Sequence, residues 1–359
     1  MSADTNAAGA RPGLPVVGWE LMRLGAVAFG GLGATLALLQ DRLVERRGWL
    51  MLSDVAEAMA FTKALPGSTG IQMVAYFGWR LRGWPGAIVA VVAFILPATV
   101  LMVLVAAGSL MLPDRPWVRG ALTGVQVAVV GLLLTAMVKL ACSEAADRWL
   151  AAVLVAGCAL GFFLHAAIVV VGAGLVGVAF ARASMGDVLE LTLRFLLVGA
   201  IAFGGGGAAL PLVERIAVAE TAWLTPQQFA MGVGFAYATP GPVLILAAFI
   251  GYVVAGIPGA IAATVAVFAV PVILAAGSSN VVMRLSRYER FRAFGRFAAA
   301  AAVGLLGVTL VSLGRPVFDL HPALLIGAAV VFAAERFGLS PLLPLAIAAG
   351  VGASAGAVL

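Results

Sequence analysis

Apolar residues run along this chain in long blocks, separated by short stretches that hold most of the Arg, Asp and Glu. Such blocks can cross a hydrocarbon core about 30 Å thick as helices. They also recur in the same order, displaced by about 174 positions. FGGLGA at 29–34 matches FGGGGA at 203–208, Trp49-Leu50 matches Trp223-Leu224, and ALPG at 64–67 matches ATPG at 238–241. GWPGA at 83–87 matches GIPGA at 256–260 after a one-residue slip, and FILP at 94–97 is paired with FAVP at 268–271. An ordered series of this kind marks a duplication. The halves are residues 17–183 and 187–359, preceded by a polar tail at 1–16 that is expected to be disordered.

Each half predicts the same helical elements. An apolar segment carries FGG (17–40; 190–214), and a charged link ending in Trp follows. Next comes a helix interrupted at Pro-Gly (54–80; 226–254), then a long segment opening at PGA (85–110; 258–281) and another apolar segment (120–141; 297–313). The last stretch, 149–182 or 321–358, has room for two short spans. The sum is roughly ten to thirteen crossings.

Composition removes the soluble alternative. With 63% apolar and 11% charged residues, the chain lacks the polar surface a water-soluble domain of this length needs. The net charge of +6 sits in short clusters between apolar runs, so it points to membrane topology and not to nucleic acid. Cys142 and Cys158 are isolated, and His165 and His321 lie far apart, so no metal or redox site is expected. The segment at 1–16 lacks the pattern of a cleaved signal peptide. FGGGGAAL follows an apolar helix and no strand, so it is no dinucleotide fingerprint, and there is no P-loop for an ATP motor. No cofactor and no catalytic set are expected.

The loops set direction. After the FGG segment the first half carries Arg42, Arg46 and Arg47, whereas the second has Arg215 against Glu214 and Glu220. Before PGA the first half has Arg80 and Arg82, and the second has none. After the third segment the bias reverses, with Arg284, Arg287, Arg290, Arg292 and Arg296 in the second half. Arg-rich loops stay cytoplasmic, so the halves insert upside down relative to each other. Both flanks of the Pro-Gly helix carry like bias within one half, which predicts a re-entrant hairpin with Pro66-Gly67 or Pro240-Gly241 at its tip. A single kinked, tilted helix is the alternative. The fold class is therefore an all-α polytopic membrane protein, two inverted repeats whose interrupted helices meet near the midplane.

Inverted repeats with broken helices are the architecture of secondary transporters, and the freed backbone groups serve as ligands there. Four breaks are available: Gly30-Gly31, Pro66-Gly67, Gly204-Gly205 with the glycines that follow, and Pro240-Gly241-Pro242. Half-helix N-termini after such breaks suit an anion. Lys63 lies one turn before Pro66 and brings a cation within reach, and Ser68, Thr69 and Gln72 follow with uncharged donors. The second half supplies Tyr237 and Thr239. Against this stands a Lys63 that snorkels to an interface beside prolines that only kink helices. Glu57 is either a proton-coupling carboxylate or an interfacial partner for an arginine of the 42–47 loop. Arg23 and Arg194, within apolar stretches ahead of FGG, are cavity cations or interfacial anchors.

FGG, a charged link to Trp-Leu, PG, G-x-P-G-A and a downstream F-x-x-P, given twice, resemble the chromate ion transporter family in its long two-domain form. The resemblance covers nearly all the chain. It implies a multi-pass protein of the plasma (inner) membrane that exports chromate, with sulfate-like oxyanions as further candidates, powered by ion gradients. An oxyanion channel is the alternative. Where the family pattern has Pro-Gly-Pro in both halves, this chain has Pro66-Gly67-Ser68 in the first and keeps Pro240-Gly241-Pro242 in the second. That departure bears on substrate and coupling ion and leaves the family intact. Small-residue runs such as GAGLVG at 172–177 would allow a homodimer.

Overall fold

The computed structural model describes residues 12–29, 31–62, 65–144, 187–202, 206–277, 289–337 and 341–358, and within them it is helical and lacks strands. The tail at 1–11, Cys158, His165, GAGLVG and the 149–182 pair of spans lie outside the described residues.

In the first half, α1 (Leu14–Val27) and α2 (Gly31–Gln40), prolonged by a π-helical turn Asp41–Arg46, precede α3 (Leu52–Thr62) and α4 (Thr69–Leu110). α5 (Pro116–Glu144) follows. The second half repeats the series with α6 (Asp187–Ile201), α7 (Leu210–Glu214) with its own π-helical turn Arg215–Glu220, α8 (Pro226–Ala238) and α9 (Leu246–Gly277). α10 (Glu289–Leu320), α11 (Leu324–Arg336) and α12 (Leu342–Val358) close the chain. The last two fill the expected place of two short spans.

Backbone irregularities recur with the sequence repeat. The π-helical turns are 174 positions apart, and so are the left-handed residues Gly48 (φ 60°) and Ala222 (φ 51°), and Gly67 (φ 113°) and Gly241 (φ 110°). α4 and α9 fold sharply at Arg82-Gly83 and Ala255-Gly256, with φ/ψ pairs that agree within a few degrees. These bends are 173 apart, because the second half enters its helix through a 3₁₀ turn at Val243–Ile245. Three residues at about 2.0 Å rise cover the length of four at about 1.5 Å. The one-residue slip is thus a change of helix type. It persists past the bend: a Cβ on Gly25 would strike the Phe94 carbonyl, and one on Gly199 would strike that of Val267, not of Phe268. FILP and FAVP therefore lie one residue out of register in space, a correction to the pairing read from sequence.

The Pro-Gly segment is a hairpin. The Asp54 carboxylate, at the start of α3, takes the Arg80 guanidinium from the far end of the next leg, with Nε at 3.0 Å. One turn further in, Glu57 of α3 lies close to Tyr76 on the opposing leg. The 11-residue α3 is about 16 Å long, half a bilayer. In the second half Gly232 of α8 lies against Leu246 and Phe249 in the same way. The kinked single helix is excluded.

The FGG segment, read from sequence as one apolar segment, is also a hairpin. Arg47 at the end of the α2 turn bonds Glu20 in α1 at 2.8 Å, and Arg194 in α6 bonds Glu220 at 2.8 Å. The glycines free the chain to turn back where unbroken helix would have carried it across. Four segments that hydropathy counts as crossings thus enter and return, which lowers the number of true spans.

Inversion is visible in the contacts of the long legs. A Cβ on Gly277, at the end of α9, would lie 2.8 Å from Trp84, at the start of the long leg of α4. The two legs are antiparallel, so the halves thread in opposite senses. α12 packs on α5 through glycine faces, with Gly124 against the Ala348 carbonyl and Gly352 against that of Gly120. The second repeat therefore completes the first one's bundle.

Candidate functional site

The four hairpin tips meet, and they do so reciprocally. Gly67 N–H donates to the Ala202 carbonyl at 2.8 Å, and Gly241 N–H donates to the Ala28 carbonyl at 3.1 Å. Ala28 and Ala202 end the helices that enter the two FGG turns, and they are 174 positions apart like the glycines that bond them. Each Pro-Gly tip therefore caps the FGG hairpin of the opposite repeat. A pseudo-twofold axis running between the two hydrogen bonds accounts for the arrangement.

Gly67 is required twice over. Its φ of 113° is costly for any residue with a Cβ. A Cβ there would also lie 2.4 Å from Pro271 Cγ. Gly241 has the same φ but more room, with Ala98 Cβ at 3.4 Å.

Around the tips the polar groups are few and partly unmet. Gln72 is fully buried (0% exposed), and its Nε2 donates to the Pro66 carbonyl at 2.5 Å. Its Oε1 is buried and has no partner among the described residues. Ser68 is buried and caps the Thr69 helix by position, although its side chain makes no capping bond. The N–H groups that open that helix have no intrahelical acceptor, as at any helix start. Thr239 ends α8 and turns its hydroxyl back on the Ala236 carbonyl at 3.4 Å, with Pro240 buried and Pro242 half-buried beyond it. The Tyr237 hydroxyl is buried without a partner among the described residues, 3.2 Å from where a Cβ on Gly207 would be. The structure thus brings Pro66, Gly67, Ser68, Thr69 and Gln72 of one repeat to the same centre as Tyr237, Thr239 and Pro240-Gly241-Pro242 of the other. Gly31 opens α2 at the FGG turn. Lys63, Gly30, Gly204 and Gly205 lie outside the described residues.

Charge is kept at the hairpin bases. Glu20 (2% exposed) holds Arg47 at 2.8 Å and Arg42 at 3.9 Å, and Arg47 stacks 5.4 Å from the Trp49 ring. In the second repeat, Arg194 stands where Glu20 stands, and it holds Glu190 and Glu220 at 2.8 Å beside Trp223, 5.9 Å from its ring. The clamp is the same and the charges are exchanged. Arg194 is thus tied to carboxylates at the hairpin base. Arg23 is exposed, lies over Trp19 at 5.9 Å, and lines a recess of about 180 Å³ with Glu20, Leu24, Val27, Leu38 and Arg42. Among the described residues the arginines of the 42–47 loop pair with Glu20 and Asp41, and Glu57 stands beside Tyr76 on the opposing leg.

Sequence reading missed Ala28, Ala202 and Pro271. The repeat offset could have paired the two alanines with each other, but nothing in an alanine announces an accepting carbonyl. The Glu20 clamp was missed too, because its mate in the other repeat carries the opposite charge.

Oppositely threaded repeats and re-entrant tips meeting at the centre, where Gln72 and Tyr237 have polar atoms unmet among the described residues, define a membrane transport protein of inverted-repeat type. The family model described as "Chromate transporter" matches residues 16–178 and again 189–353. The chain belongs to the chromate transporter family. It is 26% identical to the "Probable chromate transport protein" of Synechococcus elongatus over 91% of each chain. It is 30% identical to the "Chromate transport protein" of Cupriavidus metallidurans over 69% of each. It is 27% identical to the "Chromate transport protein" of Pseudomonas aeruginosa, over 89% of this chain and 85% of that one. No solved structure matches.

Proposed function

We propose that the chain is a secondary transporter of the plasma (inner) membrane that exports chromate, with sulfate-like tetrahedral oxyanions as weaker substrates, driven by ion gradients. The observation that carries this reading is the reciprocal meeting of the tips, which gathers helix N-termini and two buried polar groups that are unmet among the described residues. Lys63 supplies the cation. Its counterpart in the repeat is Tyr237, whose hydroxyl is buried at the tips, and this supports a like position for the lysine. Backbone N–H groups at the start of the 69–81 leg donate to the oxyanion, and Ser68 and Thr69 add hydroxyls. Broken backbone in hydrocarbon needs such a buried, ligand-facing setting to be tolerated.

The basic clamp of the first repeat faces the cytoplasm in this reading, and the acidic clamp faces outward. An oxyanion leaving a cell that is negative inside gains about 2.3 kcal/mol per 100 mV for each elementary charge it carries. That equals roughly one and a half decades of concentration ratio per charge. Export therefore proceeds without ATP.

A carrier suits the centre better than an open pore, because each tip is tied by a backbone hydrogen bond to the opposite repeat. The test is chromate counterflow in sealed vesicles, competed with sulfate. Flux stimulated by chromate on the opposite side is the expected result, and flux indifferent to it would leave a channel. Lys63→Ala is expected to abolish flux in protein that still expresses and folds. Normal flux in that variant would remove Lys63 from the site.

A further inference from the structure

The mechanism above uses donors only, yet Gln72 presents an acceptor. A carboxamide can usually be turned to exchange its oxygen and nitrogen. Here it cannot. The Pro66 carbonyl only accepts, so the atom 2.5 Å from it must be Nε2, and Oε1 is committed to face away from that carbonyl. The side chain is fully buried, and Oε1 has no donor among the described residues. A buried amide oxygen left unmet costs about 1–3 kcal/mol. The fold does not require one: the matching positions in the second repeat are Ile245 and Leu246, both apolar and both buried. The acceptor sits in the first turn after Ser68, beside N–H groups that suit an anion. A bare dianion would set a negative oxygen against the Gln72 oxygen. An anion that still carries one proton would not.

We propose that the tips bind the tetrahedral oxyanion in its singly protonated form, its O–H donating to Gln72 Oε1 while its other oxygens accept from the N–H groups opening the 69–81 leg. This rests on the transport reading above and names the form of the substrate. It makes Gln72 a specificity-determining residue. Chromate takes up a proton near neutrality, whereas sulfate does so only in strong acid, so the acceptor separates two ions of one shape. One charge then moves per chromate.

The protein's own titratable groups around the tips are Lys63, which the transport reading already uses, and a few among the described residues. On the hairpin, Asp54 holds Arg80, and Glu57 lies beside Tyr76. Glu214, at the end of α7, takes the Ser312 hydroxyl. α8 contributes Tyr237, α1 contributes Glu20 (held by Arg47) and the exposed Arg23, and α9 contributes Tyr252 and no charged residue.

The experiment uses purified full-length protein in liposomes, with chromate flux and charge movement measured together across a pH series. The expected result is one charge per chromate, with flux at fixed total chromate falling about tenfold per pH unit once chromate is mostly deprotonated. Sulfate flux should stay low throughout that range. Gln72→Leu, which borrows the second repeat's residue and so should fold, is expected to flatten the pH slope and narrow the gap between chromate and sulfate. Two charges per chromate, a slope unchanged in Gln72→Leu, or one pH midpoint shared by chromate and sulfate would overturn the proposal and leave transport standing. Absence of any oxyanion flux would overturn both.

Discussion

The Pro-Gly tips of the two repeats have one backbone and two chemistries. Gly67 and Gly241 share a left-handed φ within a few degrees, and each donates its N–H to an alanine carbonyl of the other repeat. Around the first stand Ser68, Thr69 and Gln72, and around the second Pro242, Val243 and Leu246. Duplication fixed the geometry, because each tip is the other's partner and neither can move alone. It left the side chains free to diverge, and those that follow the glycine are polar on the first tip and apolar on the second. The hairpin bases show the same division, with one clamp geometry and exchanged charges. Symmetry here belongs to the backbone, and asymmetry carries the chemistry and the orientation.

The comparison is broken most severely at Gly67. Gly67→Ala combines an unfavourable φ with overlap onto Pro271, and it is expected to cost about 3 kcal/mol, together with most of the flux. Thermal unfolding in detergent would show it as a lowered midpoint. Arg47→Ala comes next. It strips the closer cation from buried Glu20 and leaves only Arg42 at 3.9 Å, for about 2 kcal/mol. Placing Lys at 47 should restore part of the loss, and equal stability of the Ala and Lys variants would show that the clamp is not held by charge. Gly241→Ala meets the φ penalty without the overlap, so about 1–2 kcal/mol is expected. A loss as large as that at Gly67 would mean that packing at Pro271 does not separate the tips. The smallest effect is at Thr225, which closes a capping box with Gln228 at the start of α8. Thr225→Ala should cost about 1 kcal/mol with flux retained, read from the same melts.

Legibility followed from how local each feature was. The duplication, the break positions and the opposite threading all leave marks in sequence, because glycine, proline and loop charge act where they stand. Asp54 with Arg80 and Glu57 with Tyr76 were not legible, since a pairing across a hairpin needs the turn to be known first. The FGG segment was misread for a related reason. Hydropathy measures length and greasiness, and a re-entrant pair has as much of both as a single crossing. The register of FILP against FAVP failed on one turn of 3₁₀ helix, which no residue type announced.

By itself, the sequence determined that this is a helical membrane protein of two inverted repeats, broken at glycine and proline, within one transporter family. Burial of so many apolar residues leaves no other solvent, and a residue that cannot hold a helix interrupts it wherever the chain goes. The tertiary structure alone decided that the two FGG segments turn back, that Ala28 and Ala202 receive the opposite tips, and that Gln72 ends with its amide nitrogen spent and its oxygen unmet among the described residues. Those outcomes depend on which backbone carbonyl arrives within about 3 Å of which donor. That distance is set by the packing of remote helices and not by any residue's own preference.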